Sequence, residues 1–184
     1  MIKYLTFSIC LFAVFVLCIP VVRAQDGGLN DVNIRAYYEY FEASNEILRE
    51  GWEDIGIWLS FLEESYTDDY QGKSNFYGLC SDDSELLPSV GKDQLLDIYK
   101  TIGVNNYKFF QMDVHSIDVA DDAMSAKVSY SIDLEVDSGE VSLTMHSDCE
   151  ATHVWNAEKQ KAQMSAQNCD ERILEKNGQG DCSL

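Results

Sequence analysis

Strict alternation of apolar and polar residues in the second half of the chain is the strongest constraint on its fold. In "AMSAKVSYSIDLEVD" (123–137), every second residue from Met124 to Val136 is apolar, and the residues between them, from Ser125 to Asp137, are polar. Side chains of a β-strand point in turn to opposite faces of the sheet. The segment therefore predicts a strand with one buried and one solvated face, as in an antiparallel sheet.

Three further segments follow the same two-residue period: 108–119, 141–155 and the shorter 161–167. Short polar stretches, 138–140 and 157–160, separate the last three strands. Consecutive alternating strands joined by short turns are typical of an antiparallel meander.

The first half of the chain has a helical period instead. Apolar residues recur every three or four positions in residues 34–48, 52–66 and 92–102. Such stripes predict helices with one buried side. Asp31 or Asn33 is predicted to cap the first helix, since these side chains accept hydrogen bonds from the first free amides. Helices followed by a strand meander predict an α+β domain, with the helices packed on the apolar face of a curved antiparallel sheet.

The N-terminus has the pattern of a cleaved secretion signal. Lys3 is followed by an apolar run over residues 5–19, and Val22 and Ala24 occupy the −3 and −1 positions of a cleavage site. The run is shorter than the roughly 20 residues of a membrane span. We therefore expect a secreted, extracellular protein with no membrane association after cleavage. The predicted organisation is a signal peptide (1–24), a flexible start (25–33), one domain (34–173) and a C-terminal tail (174–184).

The charge of the chain excludes one class of partner. The 184 residues include 13 basic and 32 acidic ones, a formal charge of −19. Removal of Lys3 and Arg23 with the signal would leave 11 basic residues against 32 acidic ones, a charge of −21. Such a field repels phosphate backbones, so the sequence predicts no nucleic-acid partner. Cationic partners stay open.

Four cysteines remain after the predicted cleavage: Cys80, Cys149, Cys169 and Cys182. In an oxidising compartment they predict two disulfides, with three pairings open. A regular last hairpin would place Cys149 opposite Asn168 and turn Cys169 to the other face. This parity favours a Cys80–Cys149 bridge from the polar loop over residues 71–88 to the sheet, and a Cys169–Cys182 bridge to the tail.

Three segments carry a resemblance to a known superfamily: "WLSFLEESYTDDY" (58–70), the helix start "PSVGKDQLL" (88–96), and long alternating strands ending in "HVW" (153–155). Their order resembles the nuclear-transport-factor-two-like superfamily, also called SnoaL-like, over residues 34–173. The resemblance implies a cone-shaped, cystatin-like roll whose open end is a pocket. It places Asp68 and Asp69 at the pocket rim.

The resemblance also implies candidate site residues. Enzymes of this superfamily commonly use an Asp, His or Tyr inside the cone for proton transfer, which here points to His153 and Asp69 as the catalytic pair. Tyr130 would orient the substrate. In the alternative and favoured interpretation, His153 is a satisfied core histidine and Asp69 only solvates a chain turn. The residues predicted to line an apolar ligand pocket are Trp58, Tyr66, Val128, Tyr130 and Met145.

Several kinds of chemistry have no motif in the sequence. There is no nucleophile elbow, phosphate-binding loop, dinucleotide fingerprint or metal-ligand spacing, so neither a metal nor a cofactor is predicted. The leading hypothesis is a non-catalytic domain that binds a small apolar ligand or a protein partner, as a homodimer through its sheet. The alternatives are a lyase or isomerase that uses the His153–Asp69 pair, and an acidic structural protein of the extracellular space.

Overall fold

The fold is an α+β arrangement in which helices pack on one face of a large sheet. The computed structural model describes residues 27–49, 55–102, 107–137 and 142–178; the predicted signal peptide and Cys182 lie outside them. In chain order the elements are α1 (Asp31–Arg49), α2 (Ile55–Ser65), β1 (Tyr66–Tyr77), β2 (Ser84–Leu86), β3 (Val90–Gly91), α3 (Lys92–Ile102), β4 (Tyr107–Val119), β5 (Ser125–Asp137), β6 (Ser142–Asn156) and β7 (Lys161–Lys176).

The sheet is curved, unclosed and mixed rather than purely antiparallel. Its strands lie in the order β2-β1-β7-β6-β5-β4, and β3 also pairs with β1. The meander from β4 to β7 is antiparallel, as the alternation predicts, whereas β1 runs parallel to β7. The antiparallel prediction is wrong at this one junction, because β1 lies in a segment whose pattern predicts the end of a helix and a loop.

Helix α1 buries the predicted stripe against the sheet. Ile34, Tyr38 and Phe41 are buried at steps of four and three residues, and Asn45 continues the stripe. The buried Asn45 amide donates a hydrogen bond of 2.8 Å to the carbonyl of Phe41, so its polarity is satisfied. Full burial of a side chain such as Ile34 contributes about 1.5–3 kcal/mol.

The start of α1 is capped by Asn30 rather than by Asp31. The Asn30 side chain accepts from the Asn33 amide at 2.9 Å, and the Asn33 side chain accepts from the Asn30 amide at 3.0 Å. This reciprocal pair satisfies two amides that a helix start leaves free. Leu29 is only 3% exposed, and its amide donates to the Ala123 carbonyl at 2.7 Å. Leu29 thus packs in the folded part of the chain, within the range predicted as a flexible start.

Two element boundaries differ from the sequence prediction. Helix α2 ends at Ser65, one residue before the predicted range ends, and "YTDDY" is the beginning of β1. Tyr66 and Tyr70 are both buried, and their four-residue spacing mimics a helical stripe. Strand β7 extends to Lys176, so residues predicted as tail are strand.

Candidate functional site

The predicted histidine lies in the interior, on the face of the sheet that α1 covers. His153 of β6 is 0% exposed, and its Nε2 lies 2.9 Å from the hydroxyl of Tyr38 on α1. The ring of Tyr37 meets the imidazole edge-on at 4.8 Å between centroids. Tyr130 of β5 packs on Tyr38, also at 4.8 Å. We call these four residues, Tyr37, Tyr38, Tyr130 and His153, the aromatic cluster.

Burial keeps the aromatic cluster uncharged. It lowers the pKa of His153 to about 4, because desolvation penalises the imidazolium. Burial also raises the pKa of Tyr38 well above its usual value, with smaller contributions from the neighbouring tyrosines. At neutral pH the pair is thus a neutral imidazole and a phenol. The other ring nitrogen of His153, Nδ1, has no hydrogen-bond partner among the described residues.

The structure does not bring His153 and Asp69 together. Asp69 is exposed on β1, whereas His153 is enclosed by aromatic rings and bonds to Tyr38. Asp68, the other predicted rim carboxylate, accepts a hydrogen bond of 2.9 Å from Lys92 at the start of α3, which lowers the pKa of Asp68. The acidic pair therefore lies on the surface at the junction of β1 with α3.

Three of the five predicted ligand-lining residues lie in the core. Val128, Tyr130 and Tyr66 are at most 2% exposed. Met145 is half-buried and lies opposite Leu134, eight residues along β6 from His153, or roughly 26 Å of strand. Trp58 belongs to α2, but its side chain lies outside the described part of the structure.

The two predicted disulfide pairings are wrong. Cys149 and Cys169 are bonded to each other, as directly opposite residues with Cα atoms 4.2 Å apart. Counted from the turn, the pairing of β6 with β7 follows the prediction as far as His153 and Met164. The next residue of β6, Thr152, pairs with Ala166. This bulge adds one residue to β7 and reverses the parity of everything beyond it. Cys80 is also disulfide-bonded.

A groove of about 460 Å³ opens on the opposite, polar face of the sheet. We call it the polar-face groove. Four of its residues lie in one row across four neighbouring strands, each paired with the next: Ser129, Glu150, Asn168 and Lys73. A second row runs beside the first: Asp148, Asp170, Asn75 and Leu86. Three strand spacings separate Ser129 from Lys73, or about 14 Å.

The polar-face groove is rich in carboxylates. Asp148, Glu150 and Asp170 oppose a single cation, Lys73. The Asn75 amide donates a hydrogen bond of 2.8 Å to Asp170 and fixes this carboxylate. Leu86 is 69% exposed at the wall, where it adds an apolar patch. A second cavity of about 80 Å³ lies near Tyr70, and neither cavity borders His153.

Comparison with known proteins finds solved structures with a similar fold. No protein-family model and no curated protein matches the chain. A conserved protein from Planctomyces limnophilus DSM 3776 is 12% identical, with a TM-score of 0.54 over 78% of this chain and 96% of its own. The chain therefore shares the α+β fold of this protein.

Two further solved structures match at lower scores. A ketosteroid isomerase-like protein from Erwinia carotovora atroseptica SCRI1043 is 16% identical, with a TM-score of 0.49 over 80% of this chain and 99% of its own. An NTF2-like protein from Cytophaga hutchinsonii ATCC 33406 is 13% identical, with a TM-score of 0.48 over 77% and 98%. At such identities the likeness concerns the fold alone, and an activity does not follow from it.

The sequence contains a signal for the polar-face groove that the prediction did not use. Alternation places Ser129 on the solvated face of β5, and the acidic residues Asp148 and Glu150 flank a buried cysteine on β6. Alternation does not predict that β1 pairs with β7. This pairing brings Lys73 and Asn75 next to the groove residues of β7. The described residues include neither a cluster of His, Cys, Asp or Glu side chains suited to a metal ion nor a helix long and apolar enough to span a membrane.

Proposed function

We propose that this protein is a secreted, non-catalytic binding protein that holds a protein partner in the polar-face groove. The observation that carries the proposal is the groove itself, which is lined by residues of five strands and combines three carboxylates, one cation and an exposed leucine. Small-molecule pockets are mostly apolar and enclosed, whereas a polar, open surface with an apolar patch resembles a protein interface. Secretion is supported by the N-terminal sequence.

Catalysis by the predicted pair has less support. A general base must reach the proton that it removes, and a carboxylate partner would hold its imidazole in the required tautomer. His153 bonds to a phenol, has no exposed surface, and lies apart from the exposed Asp69. The lyase or isomerase alternative would need both residues in one accessible pocket.

Selection from a random peptide library tests the proposal. Peptides are displayed on phage and selected on the folded protein, and their affinities are measured by fluorescence anisotropy. Ser129→Trp fills the polar-face groove, and Ser125→Trp is the matched control, because it lies on the same face of β5, four residues or roughly 13 Å away. We expect the selected peptides to lose at least about tenfold in affinity for Ser129→Trp and to bind Ser125→Trp like the wild type. Peptides that bind all three proteins equally would contradict the proposal.

A small apolar ligand in the interior is the second candidate, and one observation favours it. The Nδ1 atom of His153 is buried without a partner among the described residues, and an unsatisfied buried polar atom costs about 1–3 kcal/mol. A ligand with one polar group would remove that cost. Anilinonaphthalene sulfonate is a suitable apolar probe. It should bind the native protein and Val32→Phe, which alters an exposed valine, but not a Val128→Phe variant that is shown to be folded, because the larger buried side chain would compete with the probe for interior space. Absence of native-state binding would dismiss this candidate.

The homodimer through the sheet stays a prediction. Two copies facing each other through the polar face would oppose their carboxylates, and like charges in contact destabilise an interface. An acidic structural role without a specific partner is the remaining alternative. It predicts that the library yields no peptide sensitive to Ser129→Trp.

A further inference from the structure

We propose that the partner segment in the polar-face groove is an extended, cationic stretch of polypeptide, with arginine or lysine at alternate positions. This inference rests on the proposed function and names the chemistry of its partner. The groove presents Asp148, Glu150 and Asp170 against Lys73, so its formal charge is negative. The chain as a whole carries a formal charge of −19, which steers cations toward it over long distances.

The spacing of the carboxylates matches an extended peptide. Asp148 and Glu150 are two residues apart on one face of β6, a distance of about 6.6 Å along the strand. Alternate side chains of an extended partner have the same spacing. Asp170 lies directly opposite Asp148 on the neighbouring strand, so the two can share one guanidinium group.

The width and wall of the groove indicate a polypeptide rather than a compact cation. Four strands span about 14 Å, which is wide enough for an extended chain that runs along β6 with side chains reaching the neighbouring strands. Leu86, 69% exposed at the end of the second row, offers an apolar contact to the methylene stem of an arginine or lysine side chain. The Asn75 amide holds Asp170 in place before any partner arrives.

Defined peptides test the inference. The probes are fluorescein-labelled ten-residue peptides of alternating Arg–Ser, Gln–Ser and Glu–Ser, with spermidine as a competitor. We expect the Arg–Ser peptide alone to bind, with an affinity that falls as salt is raised. Glu150→Lys should weaken it at least about tenfold. The matched control is Glu63→Lys on exposed α2 surface, which changes the net charge equally and should weaken binding less than about twofold.

Three results would overturn the inference: equal binding of the Gln–Ser peptide, equal weakening by both charge reversals, or displacement by spermidine at equal charge concentration. If Glu150→Lys has a lower melting temperature than the wild type, Glu150→Gln is measured in its place. Failure here is distinguishable from failure of the proposed function. Library peptides that are blocked by Ser129→Trp but carry no positive charge would refute the cationic partner and leave the polar-face groove as a binding site.

Discussion

His153 shows how the place of a residue can be predicted from the sequence while its hydrogen-bond partner cannot. Strand parity puts it on the buried face with Ala151 and Trp155, and all three are buried. Its hydrogen bond to Tyr38 joins residues 115 positions apart, and no local pattern predicts such a contact. The sequence therefore predicts an interior histidine, whereas its phenolic partner emerges only in three dimensions.

Acid should destabilise the protein through His153. Its pKa is about 4 in the folded state and near 6.5 in the unfolded chain, so between these values only the unfolded chain binds the proton. The free energy of unfolding should thus fall as the pH drops from 6.5 to 4, by roughly 3 kcal/mol from this residue. Urea unfolding across this range should give a flatter profile for His153→Gln than for the wild type. The exposed His115 provides the control variant His115→Gln, which should follow the wild type; identical profiles for all three proteins would refute the assignment.

At the scale of elements, the prediction succeeds where a pattern is long and local. Strands β4 to β6 alternate over 13 to 15 residues and are found where expected. The junction of α2 with β1 is missed because Leu62, Tyr66 and Tyr70 fit a helical stripe of four-residue steps. The β1–β7 pair is missed because parallel pairing of residues 95 positions apart leaves no local trace.

The bulge in β7 places Cys169 opposite Cys149, and the resulting disulfide can be tested. Peptide mapping without reduction should recover Cys149 linked to Cys169. The bridge closes a loop of 20 residues, so its removal should reduce the free energy of unfolding by about 3 kcal/mol. The double variant Cys149→Ala/Cys169→Ala, unfolded in urea, measures this loss. A recovered Cys80–Cys149 peptide would instead restore the parity of a regular hairpin and remove the bulge from the account.

At the scale of the whole molecule, the two faces of the sheet have different properties. The face beneath α1 holds an uncharged aromatic cluster, and burial depresses the pKa of its one histidine. The polar face holds a carboxylate-rich groove open to solvent. The overall acidity is evident from the composition, but the grouping of Asp148, Glu150 and Asp170 depends on which strands are neighbours.

The polar-face groove is tested most directly as a binding site by locating a bound peptide with nuclear magnetic resonance. Backbone amide shifts of the labelled protein are recorded with and without the tightest peptide from the library selection. We predict that the largest changes fall on Lys73, Ser129, Glu150 and Asn168, the row across the polar-face groove, while Tyr38 and His153 stay unchanged. Changes concentrated on Tyr38, Val128 and His153 would place the binding site in the interior and contradict binding in the polar-face groove.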